Sequence, residues 1–171
     1  MVNEYGTSLI ETDFDMLHVV PPKSAPDFIK VNLLADSNGW IDVDQSTLQH
    51  KVYENIFALG DECNIPNAKT AAAARMQAPI VASNLLYARN SQSERAIYNG
   101  YGSCHLTVER GKVVLAEFGY GGKIFNSMPS SIINGIRPTR LVWLLKERII
   151  PPIYWEGMLK GREWLAKPKL K

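Results

Sequence analysis

The sequence predicts an α/β fold that carries a β-hairpin and ends in amphipathic helices. Three observations predict it. The run Ile56-Phe57-Ala58-Leu59 is short and wholly apolar, breaks at Gly60-Asp61, and is followed by an alanine-rich helical stretch. Two alternating segments, Ser103 to Arg110 and Val113 to Tyr120, meet at Glu109-Arg110-Gly111-Lys112, as the arms of a β-hairpin do. Finally, "RPTRLVWLLKERII" and "IYWEGMLKGREWLA" mix apolar, aromatic and basic residues on either side of Pro151-Pro152, which reads as two amphipathic helices in a hairpin-like arrangement.

The earlier elements follow in order. Phe14 to Val20, "FDMLHVV", is apolar with β-branched residues and stops at Pro21-Pro22, so it reads as a strand entering a loop. The stretch "PPKSAPDFIKVNLLADSNG" is punctuated by Pro, Ser and Asp around a short helical turn. Trp40 to Asp44 alternates apolar with acidic, the pattern of a half-exposed strand, and Tyr53-Glu54-Asn55 forms a turn before the Ile56–Leu59 strand, which suits a buried parallel sheet. The helix from about Ala68 to Ala88 contains Pro79, which removes one internal hydrogen bond and is expected to kink or divide it. Ser91 to Glu94 is polar and loop-like.

The totals limit the function classes. A chain of 171 residues, 46% hydrophobic and 21% charged, is long enough for an ordinary core and too apolar for general disorder. The formal charge of +2 is unevenly placed: nine Lys or Arg against three Asp or Glu over 137–171 give +6 there and leave −4 for the rest. Trp143, Trp155 and Trp164 share that basic tail, a combination suited to a membrane surface or an acidic partner rather than to nucleic acid. An ordinary helical pair covering a core or a second subunit fits the same pattern. No apolar run is long enough to span a bilayer, and the first residues lack the basic and apolar regions of a secretory signal. Two cysteines outside any CxxC pair, with three scattered histidines, offer neither a disulfide framework nor a metal site.

The chemistry candidates start at "IFALGDECNIPNAKTAAAA". A strand ending in Gly60-Asp61 before a helix whose first turn is small brings backbone amides and the positive helix end to one spot. Asp61 is placed to accept from ligand hydroxyls at the strand's carboxyl end. The bare alternative is a turn followed by a good helix former. Cys104, opening a strand in "YGSCHLTVE", is either a small buried hydrophobe or a reactive thiol; strand alternation turns His105 to the opposite face, so it is not Cys104's base.

These stretches, taken with "DMLHVVPPKSAPDFIK", "GWIDVDQSTLQHKVYENIFALGD" and "YNGYGSCHLTVERGKVVLAEFGY", resemble sulfide:quinone oxidoreductases within the flavoproteins built on two dinucleotide-binding domains. The resemblance is most specific from Met16 to Tyr120. It implies the C-terminal part of a Rossmann-like flavoprotein: residues 1–54 the end of the second nucleotide-binding-like domain, 55–122 the C-terminal part of the FAD-binding domain with the redox-cysteine hairpin, and 123–171 a membrane-association region.

By the resemblance, FAD is contacted by Gly60, Asp61, Lys69, Thr70 and Ala71. Lys69 either neutralises reduced flavin, attends the quinone, or is a solvated helix-start lysine. Cys104 is one of two sulfurs between which sulfide is oxidised to persulfide, Cys63 is structural, and Phe118, Tyr120 and Phe125 stand on the quinone side. Trp143, Leu144, Leu145, Ile149, Ile150, Tyr154, Trp155, Met158, Leu159, Trp164 and Leu165 supply the apolar contact with a bacterial cytoplasmic or mitochondrial inner membrane. Sulfide and quinone are the implied substrates, with no metal and no nucleic acid.

The sequence has no GxGxxG and no partner redox cysteine, so the chain alone is expected neither to hold flavin tightly nor to turn over; a separate N-terminal half or a homo-oligomer is the expected partner. A non-catalytic membrane-binding or subunit-interaction module, or part of a type II NADH dehydrogenase-like enzyme, are the alternatives.

Overall fold

Buried side chains of the helix Ala71–Arg89 gather the loops of the first half of the chain around one face. The computed structural model describes residues 11–66, 69–129, 135, 137–162 and 166–170. Along them run α1 (Asp27–Lys30), α2 (Ala71–Arg89), β1 (Ala96–Ile97), β2 (Gly102–Glu109), β3 (Lys112–Phe118), α3 (Arg140–Leu144) and β4 (Lys169–Leu170), with one-turn 3-10 helices at Gly60–Glu62 and Tyr120–Gly122. The fold is thus mixed helix and strand. Among the described residues, both sheets are two-stranded and antiparallel: β1 with β4, and β2 with β3.

Thr70 caps α2 by accepting from the Ala73 amide at 3.2 Å. Ala73, Gln77, Ile80 and Asn84 are its buried residues, spaced to share one face. Against them lies a core of Val43, Leu48, Ala58, Cys63, Ile65 and Tyr98. The helix is not divided at Pro79; buried anchors on both sides of the proline, Gln77 and Ile80, outweigh one missing rung. Asn84, fully buried, donates to the Thr47 and Ala96 carbonyls and accepts from the Ala96 amide, so it ties α2 to the 44–48 turn and to β1.

The hairpin forms as the alternation predicts. Gly102 pairs with Phe118, Cys104 with Ala116 and Glu109 with Lys112, with one irregularity between Thr107 and Glu109. Gly111, at φ 82°, is the left-handed residue of the Arg110-Gly111 loop, a conformation that glycine adopts without strain. On the inner face of β3, Val113 and Leu115 meet Val142 of α3 in a second cluster, partly covered by Trp143.

Three expectations are corrected. Phe14 to Val20 is exposed and irregular rather than a strand; its apolar pattern is intact, but it has no ladder partner among the described residues, and a strand exists only through its pairing. Trp40 to Asp44 and Ile56 to Leu59 contribute isolated bridges, with Val43 opposite His50 and Phe57 opposite Gln49, both antiparallel. The one parallel bridge among the described residues joins Ile41 and Cys63.

The third correction concerns Pro151-Pro152, which lie inside one helical run over 140–160 rather than between two helices. The run passes from α3 through a π turn (Leu145–Ile149), a single α turn (Ile150–Pro152), a second π turn (Ile153–Gly157) and a 3-10 turn (Met158–Lys160). Wide π turns skip the rungs that prolines cannot donate and relieve the clash of their rings with the preceding turn. Left-handed Gly161 ends the run. Leu141, Leu144, Ile149, Tyr154, Trp155 and Leu159 remain exposed along it. Among the described residues no helix is long and apolar enough to cross a membrane. Trp164 and Leu165 lie outside the described residues.

Burial raises the Tyr98, Tyr101 and Tyr120 phenols above the ordinary tyrosine range; Glu117 adds to the effect on Tyr101 and Tyr98 to that on Tyr120. The folded state therefore keeps these protons after the unfolded chain has lost them. The stabilisation is fully present below about pH 10 and is lost as pH rises beyond it. In an alkaline titration followed by tyrosinate absorbance, these three of the seven tyrosines are expected to ionise only as the circular dichroism signal collapses.

Candidate functional site

Gly60 adopts φ +73°, a left-handed turn that glycine reaches without strain. Its amide donates to Oε1 of buried Gln77 at 2.7 Å, which fastens the Gly60–Glu62 turn to α2. Asp61 stands exposed on that turn. Two residues on, Cys63 is fully buried in the core, and its thiol donates to the Gly60 carbonyl at 3.4 Å. Burial pushes the Cys63 thiol up, against its conversion to thiolate.

Lys69 is not a solvated helix-start lysine. Its ammonium donates to the Cys63 carbonyl and lies 4.3 Å from the centroid of the Trp40 ring, and burial pulls its pKa below the ordinary lysine range. Thr70 follows as the cap of α2, and Ala71 opens the helix on the exposed side. The amides of Ala71 and Ala72 have no acceptor within the helix, because a first turn has no carbonyls before it. The fold therefore brings Gly60, Asp61, Lys69, Thr70 and Ala71 together around the positive end of α2.

Cys104 sits elsewhere, on β2, which packs against α2. Its thiol is free and partly exposed. The register places it opposite Ala116, on the face shared with Leu106, Val114 and Phe118. His105 belongs to the other face, where Lys146 donates to its carbonyl and to the Thr107 hydroxyl at 2.8 Å. Burial, helped by the Lys146 charge, pulls the imidazole down and keeps it neutral.

The three aromatic candidates have different neighbours. Phe118 lies across Gly102, where an added Cβ would come within 2.6 Å of its ring. Tyr120 is built into the core, its hydroxyl donating to the Gln45 carbonyl at 2.7 Å and its ring edge-on to Tyr98 at 5.8 Å. Phe125 lies flush on Gly119 and 6.0 Å from Tyr101. A cleft of about 740 Å³ at the other end of α2, lined in part by Gln49, Glu54, Phe57, Arg89 and Arg95, contains none of these residues. No cysteine or histidine lines it. No group of residues that could hold a metal ion occurs among the described residues.

Two contributors escape the sequence reading: Gln77, which locks the Gly60 turn, and buried Glu117. Both left a signal. Gln77 and Asn84 are polar interruptions seven apart on the apolar face of α2, and Glu117 continues the inward series Val113, Leu115 at strand spacing.

No family model matches the chain. Curated relatives do. The chain is 43% identical over 158 residues to the mitochondrial sulfide:quinone oxidoreductase of Dictyostelium discoideum, covering 92% of this chain and 34% of that protein. The enzymes of the same name from Mus musculus and Schizosaccharomyces pombe are 40% and 39% identical, over 86% and 92% of this chain and 32% and 35% of theirs. Among solved structures, a chain in the cryo-EM structure of the Tetrahymena thermophila mitochondrial ATP synthase F1Fo composite tetramer superposes with a TM-score of 0.65 at 27% identity, over 77% of this chain and 32% of that one. The chain thus spans about a third of the length of the curated relatives it matches, and over most of its own length it is similar to the C-terminal portion of sulfide:quinone oxidoreductases.

Proposed function

We propose that this chain supplies one side of a flavin site and one redox-active thiol to a sulfide:quinone oxidoreductase at the mitochondrial inner membrane. The carrying observation is the identity of 39 to 43% with three enzymes of that name over 86 to 92% of the chain. The geometry supports it. Gln77 pins the turn that carries exposed Asp61 to a 19-residue helix; a carboxylate accepts hydroxyls, and a helix N-terminus favours negative charge.

In this reading Gly60, Asp61, Thr70 and Ala71 hold FAD, and Lys69 stiffens the loop beneath it. FAD, when bound, supplies the two-electron transfer between thiol and quinone. Cys104 is one of the two working sulfurs: attack by sulfide on the sulfur bonded to Cys104 breaks that S–S bond and forms a new one, which leaves the persulfide on the attacked sulfur and the electron pair on Cys104 as thiolate. The quinone is approached from the side of Phe118, Tyr120 and Phe125. The exposed apolar side chains of the 140–160 run, with Lys146, Arg148 and Lys160, lie on the membrane surface. Breaks near 54 and 122 divide the chain into the end of one dinucleotide-binding domain, the end of another, and the membrane segment. A polypeptide equivalent to the other two-thirds of the relatives supplies the diphosphate grip and the second sulfur.

Similarity to a chain in the ATP synthase structure favours a second reading, a non-catalytic subunit of a mitochondrial membrane assembly that keeps this fold without its chemistry.

Co-expression with the remaining two-thirds of a sulfide:quinone oxidoreductase tests the first reading. The purified complex is expected to be yellow, and Asp61→Ala to weaken flavin retention by roughly tenfold, the worth of one charge-assisted hydrogen bond. A complex that forms without flavin overturns it.

A further inference from the structure

We propose that Glu117 is a positioning residue: its carboxylate fixes the 119–127 loop, and with it the Phe125 ring, against the end of the hairpin. The inner face of β3 presents Val113, Leu115 and Glu117 in alternation, and the first two fill the cluster around Val142. The third is a carboxylate only 6% exposed. Burying such a group costs heavily unless donors surround it. Here Oε1 accepts from the Tyr101 hydroxyl at 2.6 Å and from the Ser127 hydroxyl, and Oε2 accepts from the Ser127 amide at 2.8 Å.

These donors come from two segments far apart along the chain, the turn before β2 and the far end of the loop after β3. A carboxylate is acceptor-only with several lone pairs, so it holds all three donors at once. The backbone adds to the clamp: the Phe125 amide donates to the Glu117 carbonyl at 3.1 Å, and the Gly119 amide to the Lys123 carbonyl at 2.8 Å.

Between the two anchored segments stand the rings that matter. Tyr101, held at its hydroxyl by Glu117, is 6.0 Å from Phe125. Phe125 lies so close to Gly119 that an added Cβ there would come within 2.2 Å of the ring. The carboxylate therefore sets the place of the aromatic pair. Its link to quinone rests on the reading of Phe125 as a quinone-side residue.

Amide hydrogen exchange on the chain, read by NMR, tests the latch directly. In Glu117→Ala the Ser127 amide is expected to exchange roughly tenfold to a hundredfold faster, the loss of a hydrogen bond to a charged group, while the Val113 amide, bonded to the Thr139 carbonyl, is unchanged. Glu117→Gln should restore slow exchange, because its carbonyl can face the Ser127 amide while its NH2 group turns to two hydroxyls able to accept. Should the alanine variant not fold, Ser127→Ala, which removes one donor and little volume, is expected to speed exchange at position 127 several-fold. Unchanged exchange in the variant that folds, or a glutamine variant as fast as the alanine one, overturns the proposal.

In the assembled flavoprotein, Glu117→Ala is expected to raise KM for a soluble quinone about tenfold with sulfide-driven loss of flavin colour unchanged. Equal losses in both half-reactions overturn the positioning role. A wild-type complex that sulfide does not bleach instead sinks the sulfide:quinone oxidoreductase reading, and the exchange result then judges the latch by itself.

Discussion

In the flavoprotein proposed to assemble from this chain and the rest of a sulfide:quinone oxidoreductase, replacing Cys104 by serine is expected to lower sulfide-driven quinone reduction by roughly a thousandfold or more, with flavin still bound. The size follows from chemistry rather than packing. A hydroxyl fills the same space on β2 but cannot form a sulfur–sulfur bond, so the step that takes sulfide into covalent linkage is lost. The surroundings allow the exchange of atoms: the thiol is partly exposed, unpaired with any other sulfur, and opposite the small side chain of Ala116. Cys63 provides the contrast. It is fully buried, donates to the Gly60 carbonyl, and is held away from the thiolate by burial, so its replacement acts on stability and on the Gly60 turn. Quinone reduction assayed with sulfide as donor, beside the flavin absorbance of the same sample, separates the two outcomes.

Asn84→Leu is expected to destabilise the chain by about 3 to 4 kcal/mol, read as a lowered urea midpoint with unchanged slope. Asn84 is fully buried and makes three hydrogen bonds of 2.7, 2.9 and 2.7 Å to the Thr47 carbonyl, the Ala96 carbonyl and the Ala96 amide. Leucine has the same branched arrangement of side-chain heavy atoms and is no smaller, so the cost is not a cavity. It is the loss of those bonds, with the amide of Ala96 and two carbonyls left dry and unpartnered. The 44–48 turn and β1 would lose their shared attachment to α2.

What was legible in the sequence had local causes. The hairpin was readable because β2 and β3 alternate and Gly111 supplies the turn, all within 17 residues over 102–118. The position of α2 was readable from its alanines. The grouping of Gly60, Asp61, Lys69, Thr70 and Ala71 followed because a short loop forces neighbours in sequence to be neighbours in space. Reading failed where partners decide the outcome. Phe14 to Val20 has strand composition, yet pairing cannot be inferred from one strand. Pro151-Pro152 looked like a break because two prolines cannot continue an α-helix; a run that widens to π turns on either side absorbs them. Lys69 stayed open between a cofactor-side role and a solvated helix start, because nothing in the order of residues shows that Trp40 and the Cys63 carbonyl come to meet it. Gln77 and Glu117 are the same kind of case: each breaks an apolar pattern visibly, but its partner is 17 or 16 residues away.

Anaerobic addition of sulfide to the flavoprotein assembled from this chain and the remaining two-thirds of a sulfide:quinone oxidoreductase tests the central claim most directly. Loss of the flavin's visible absorbance on adding sulfide, and its return on adding a soluble quinone, is the predicted result. A flavin that sulfide leaves yellow while NADH bleaches it would contradict the account and assign the chain to NADH oxidation instead.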